Sequence, residues 1–178
     1  TFGLLLTSPQ LTIVLCGDKF APAIITLQIF SPLVLFLGIS SLLGTRILYA
    51  QNKENIVIKS TCIGAGINFI LNMLLIPVYL QNGAAFASVV AEFAVTASMV
   101  IFSWKYCAFA KLYKNILTSV LFSLIMAGVI LFIQALRLPL LHCFILEVVV
   151  SIVVYMICLI LSKNPIILNI KYLVKNRL

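Results

Sequence analysis

Proton-transfer groups are what this sequence has least of: 178 residues hold four Asp and Glu together and a single His. A hydrolase or transferase site would have few general acids or bases to draw on. Charge as a whole is scarce, at 9% against about 25% in an ordinary soluble domain. The five cysteines, Cys16, Cys62, Cys107, Cys143 and Cys158, are scattered without a CxxC or a Cys/His ligand spacing. They read as small apolar fillers, so neither a disulfide nor a metal site is expected. Gly64-Ala65-Gly66 lacks a third glycine at dinucleotide-loop spacing, and no P-loop, HExxH or nucleophile elbow occurs. The reading is a protein that is not an enzyme and needs no cofactor.

What is abundant is apolar side chain, at 63% of residues with mean hydropathy +1.24. A soluble fold of this size has no interior large enough to hide that much apolar surface. Three long runs, Phe20–Thr45, Ser60–Ala91 and Asn115–Leu136, carry no charge. Crossing a bilayer takes about 20 residues of helix or about 10 of alternating strand, and these runs are continuous rather than alternating. Lipid offers backbone groups no hydrogen bonds, so the runs must be helical. The expectation is an all-α integral membrane protein. Its spans fall at about 1–16, 21–49, 56–80, 83–104, 115–136 and 140–161, with a basic tail at 162–178.

Proline and loop chemistry punctuate this layout. Ser8-Pro9-Gln10 interrupts the first, short span, Pro22 suits a helix's first turn, and Pro32 predicts a kink inside the second. Gln51-Asn52-Lys53-Glu54-Asn55 is a polar loop. Lys105–Lys114 is a basic loop edged by Tyr106, Phe109 and Tyr113, as at a headgroup belt. In the tail, Ile166, Ile170, Leu173 and Val174 alternate with Lys171 and Lys175 at helical spacing, which suits a surface helix or an ordinary solvated tail. The chain opens at Thr1 in an apolar stretch without a charged leader, which reads as a cut within a longer transporter.

The net charge of +8 does not form a nucleic-acid face, because the basic residues lie between spans and in the tail. Ten of the twelve Lys and Arg fall on one side of the expected membrane, and two, Lys19 and Arg137, on the other. The positive-inside rule then puts the Gln51 loop, the Lys105 loop and the C-terminus in the cytoplasm of a multi-pass plasma-membrane protein.

Polar residues inside the spans form rows at four-residue spacing: Ser60, Gly64, Asn68, Asn72; then Ala84, Ser88, Glu92, Thr96; then Glu147, Ser151, Tyr155. Asn68 and Asn72 read as interhelical hydrogen-bonding groups or as the lining of a substrate path. Glu92 and Glu147 each read as a structural partner or as a cavity group, since facing lipid would be costly. Arg46 either snorkels to the cytoplasmic interface or binds an anionic headgroup or phosphate. Gln28 and Gln134 are weaker candidates, and His142 falls at the external interface.

The stretch AQNKENIVIKSTCIGAGINFILNMLLIPVYLQNGAAFASVVAEF resembles the polysaccharide flippases of the MOP (multidrug/oligosaccharidyl-lipid/polysaccharide) superfamily. The likeness lies in its Asn/Lys loop, its N-x-x-x-N row before an I-P turn, and the following GAA-x-A-x-x-x-x-E. LCGDKFAPAIITLQIFSP resembles the same family's turn and helix start. One departure is Val78-Tyr79-Leu80-Gln81-Asn82, where the family often carries an extra glycine.

The resemblance implies a six-helix C-terminal bundle of a roughly twelve-helix transporter that rocks between inward- and outward-open states. It implies movement of polyprenyl-diphosphate-linked oligosaccharide units, such as O-antigen units, across the bacterial inner membrane for lipopolysaccharide or other surface glycan. Partners would be membrane lipids and glycan-assembly proteins such as a polymerase. Arg46 would contact the diphosphate, with Asn68, Asn72, Glu92, Glu147 and Gln28 along the substrate path. Two rivals stand beside it. One is a proton- or sodium-coupled drug antiporter of the same superfamily using Glu92 or Glu147. The other is a membrane glycan-assembly enzyme, which the short external turns disfavour.

Overall fold

The computed structural model describes residues 1–104, 109–136 and 139–161, with the side chains of 109–119, 155 and 158–161 left aside. Among the described residues there is no strand. Five α-helices follow in order: α1 (Phe2–Cys16), α2 (Ala23–Ser41), α3 (Glu54–Ser103), α4 (Phe109–Ala135) and α5 (Leu140–Leu161). The chain divides into two units, Thr1–Lys114 and Asn115–Leu178.

Among the described residues there are five helices rather than the six expected, because the spans at 56–80 and 83–104 follow one another within α3 with no loop between them. That run is nevertheless folded in two. Leu80 has φ 50° and ψ −128°, outside any helix. A Cβ built on Gly83 would lie 2.5 Å from the Leu75 carbonyl oxygen, eight residues back. One built on Gly64 would run into Val95 and lie 3.2 Å from the Ala91 carbonyl. In a straight helix, residues 64 and 95 would be about 46 Å apart at 1.5 Å per residue. α3 is therefore an antiparallel hairpin with arms of about 26 (54–79) and 23 (81–103) residues, roughly 39 and 35 Å long. Glycine sits where the arms touch because no other side chain is small enough.

α2 lies on the second arm and runs parallel to it. Leu43, Val95 and Met99 form the buried core of this unit, flanked by Ile39, Ile47, Val57 and Val100. Phe36 meets Phe93 edge to face at 5.3 Å between centroids. At the other end, Thr26 Oγ1 donates to Asn82 Oδ1 at 2.6 Å.

Proline behaves differently from expectation at one place. Pro9 does not interrupt α1, which runs through it. A proline at this position leaves the Leu5 carbonyl without its helical donor, and Ser8 Oγ donates to that oxygen at 2.9 Å. Pro32 lies within α2, and a π-helix follows over Leu42–Leu48. The second span then ends in a short 3₁₀ turn and at Asn52, whose left-handed φ of 55° an asparagine tolerates better than most residues. Gly17, at φ 84°, closes α1 by donating its N–H to the Ile13 carbonyl.

Among the described residues two helical stretches, Ala23–Gln51 and Glu54–Ser103, are long and apolar enough to cross a membrane. Large apolar side chains stand exposed along both, among them Phe69, Ile70, Met73 and Leu74. α4 begins at Phe109, so the positions of Lys111 and Lys114, expected in a loop, are helical. Lys105 and Tyr106, Arg137 and the whole tail at 162–178 lie outside the described residues.

Candidate functional site

The candidate polar groups of the hairpin separate onto different faces of its two arms. Glu92 is on the second arm, four residues after Ser88 and four before Thr96, so all three share the side turned to α2. Ser40 Oγ, at the end of α2, donates to Glu92 Oε1 at 2.7 Å. One turn away, Thr96 Oγ1 donates to the Phe36 carbonyl at 3.2 Å. Ser88 instead bonds back to the Ala84 carbonyl at 2.9 Å. Glu92 is half-buried, and it ties α2 to the hairpin through a hydroxyl rather than a cation.

Asn68 and Asn72 belong to the first arm, and they bond to one another rather than across helices. Asn72 Nδ2 donates to Asn68 Oδ1 at 2.8 Å. The same arm buries Ser60 and Gly64 against its neighbours, so the row read from the sequence changes role along its length. Its lower part packs, and its upper part opens. Asn68 and Asn72 line a groove of about 600 Å³ with Ala65, Phe69, Met73, Ile76 and Pro77. The lining comes from one face of the first arm, many apolar groups with two amides among them, and the groove is open rather than enclosed. Among the described residues no charged side chain lines it.

The other candidates lie elsewhere. Arg46 is exposed on the π-helical turn, and Gln28 is half-buried on α2; neither lines the groove. In the second unit Glu147 is fully buried, at 0% exposure, and accepts a hydrogen bond from Cys143 Sγ at 3.3 Å. Ser151, next on its row, is half-buried, and the side chain of Tyr155 lies outside the described set. His142 is exposed on α5. Among the described residues no group of three His, Cys, Asp or Glu could hold a metal ion.

Two polar partners escaped the sequence reading. Ser40 carries no mark of its role, being one of two adjacent serines, and only the pairing of α2 with the second arm brings it to Glu92. Asn82 reads as turn punctuation, yet it is half-buried and bonded to Thr26. A count of intramembrane acceptors that need donors would have asked for such hydroxyls without naming them.

What this arrangement can do chemically is limited and specific. It offers hydrogen-bonding oxygens and amides inside apolar helices, and among the described residues it pairs a hydroxyl with a carboxylate at Ser40 and Glu92 and a thiol with a carboxylate at Cys143 and Glu147. Comparison with protein-family models, with curated proteins and with solved structures matches this chain to none of them.

Proposed function

We propose that this chain is part of a multi-pass transporter of the bacterial inner membrane that flips polyprenyl-diphosphate-linked oligosaccharide units, by alternating access, for O-antigen or another surface polysaccharide. The observation that carries the reading is the groove at Asn68 and Asn72, an uncharged amide pair set in an otherwise apolar helix. Polar groups at that depth are costly unless they meet protein, water or a polar cargo. A lipid-linked sugar is such a cargo, since its isoprenoid tail stays in the bilayer while its head needs a polar passage. The charge-free runs and the one-sided distribution of Lys and Arg in the sequence, with the resemblance of 50–93 to polysaccharide flippases, support the same reading. Arg46, exposed near the expected cytoplasmic end of the second span, is placed by it at the diphosphate.

A second reading has its own observation. Glu92, Ser40, Thr96 and the Phe36 carbonyl put several oxygens together between α2 and the hairpin, which suits a cation-coupled antiporter.

Deleting the gene and assaying surface glycan and lipid-linked intermediates separates the two. Loss of surface glycan, with complete repeat units held in the cytoplasmic leaflet, is the expected result. Normal glycan with new sensitivity to cationic compounds would select the antiporter.

A further inference from the structure

We infer that the Asn68–Asn72 groove takes the uncharged sugar portion of the cargo, and that the diphosphate is held elsewhere. This rests on the flippase reading and specifies which part of the substrate the groove meets. Three features lead to it. First, among the described residues the groove's lining contains no Lys, Arg or His, so they offer a diphosphate no counter-charge there. An anion entering an apolar groove without one loses its hydration for nothing in return. Second, a side-chain amide carries two N–H donors, and the single bond between the two residues uses only one of their four. Asn72 Oδ1 is sealed from the surface without a partner, so what the pair presents is mainly donors. Hydroxyl and acetamido oxygens of a sugar are matching acceptors. Third, Phe69 stands 67% exposed beside the amides, offering a ring face on which the C–H side of a pyranose can lie. Amide donors beside an aromatic platform, with no charge, are a chemistry suited to a neutral saccharide.

The position agrees with this division. Asn68 is fourteen residues along the first arm from Glu54, about 21 Å at 1.5 Å per residue. Arg46 precedes that arm, on the π-helical turn where Gly44 meets Val57. A cargo with its diphosphate at the Arg46 level would have its sugars reaching along the arm towards the groove.

The test uses the protein in nanodiscs and saturation-transfer NMR with three probes: chitotriose, cellotriose and inorganic pyrophosphate, the last followed by phosphorus line width. The expected result is transfer to the ring protons of at least one trisaccharide. It should fall about tenfold in Asn68→Leu/Asn72→Leu, the factor for losing hydrogen bonds of ordinary strength. Pyrophosphate broadening should be unchanged by that variant. Should the double variant fail to fold, Ala65→Trp, which fills the groove and keeps both amides, must abolish the transfer. Saccharide signals indifferent to both variants overturn the inference. So does absence of transfer to either trisaccharide, the outcome expected if another helix covers the groove; a cysteine placed at Met73 would then resist thiol reagents. Loss of export on gene deletion combined with no groove-dependent transfer defeats this inference and leaves the flippase standing. Groove-dependent transfer with normal export on deletion does the reverse.

Discussion

Leu80 is the residue at which the hairpin is most strained. Its φ of 50° lies in the left-handed region, which a leucine occupies only at a cost of about 1–3 kcal/mol. The side chain is 70% exposed, so little packing is lost if it is removed. Leu80→Gly is therefore expected to raise stability by about 1 kcal/mol, read as a shift in the midpoint of chemical unfolding in detergent. A lower midpoint would mean that the turn does not adopt this backbone. The Ser40–Glu92 bond makes a second prediction. Ser40→Ala removes the donor, at a cost of about 0.5–2 kcal/mol for a hydrogen bond between membrane helices. Glu92→Gln keeps an acceptor oxygen and should cost less than Glu92→Ala; equal losses would assign the effect to charge rather than to this bond.

At the scale of the element, the two arms of α3 are held apart by the width of a glycine. Gly83→Ala drives a methyl against the Leu75 carbonyl, backbone that cannot swing away. Gly64→Ala drives one against Val95, whose β-branched side chain has little freedom to retreat. Each should destabilise by about 1–3 kcal/mol, with Gly83 the more severe. Gly66, two residues along the same arm, has nothing within 4 Å of its would-be Cβ. Gly66→Ala should therefore be neutral or stabilise by up to about 1 kcal/mol through helix propensity. Thermal unfolding by circular dichroism checks all three. If Gly64→Ala behaved like Gly66→Ala, the arms would not be in contact.

For the molecule as a whole, the proposed topology can be read by labelling. A single cysteine at Asn52 should react with a membrane-impermeant maleimide only in inverted vesicles, and one at Asp18 only in intact spheroplasts. Arg46→Ala should lower glycan export with the protein's abundance unchanged. Undiminished export would take Arg46 out of the substrate path.

How much of this was legible follows from the range of each interaction. The hairpin turn could be placed to within a few residues, because a charge-free run of Ser60–Ala91 exceeds one span, and its polar break at Gln81-Asn82-Gly83 is local. Glu92 could be singled out because an acid in an apolar run needs a partner wherever it lies. The sequence could not say that Asn68 and Asn72 bond to each other, since i to i+4 spacing serves a same-helix pair and a shared outward face equally. Nor could it show that Ser8 repairs the break Pro9 threatens, or that a π-helix forms at Leu42–Leu48.

Sequence alone determined helical class, because long continuous apolar runs leave each segment's backbone to satisfy its own hydrogen bonds. Tertiary structure decided which face of each helix meets another. That depends on where two distant segments, Ser40 with Glu92 and Gly64 with Val95, come within a few ångströms, and no local pattern encodes such a distance.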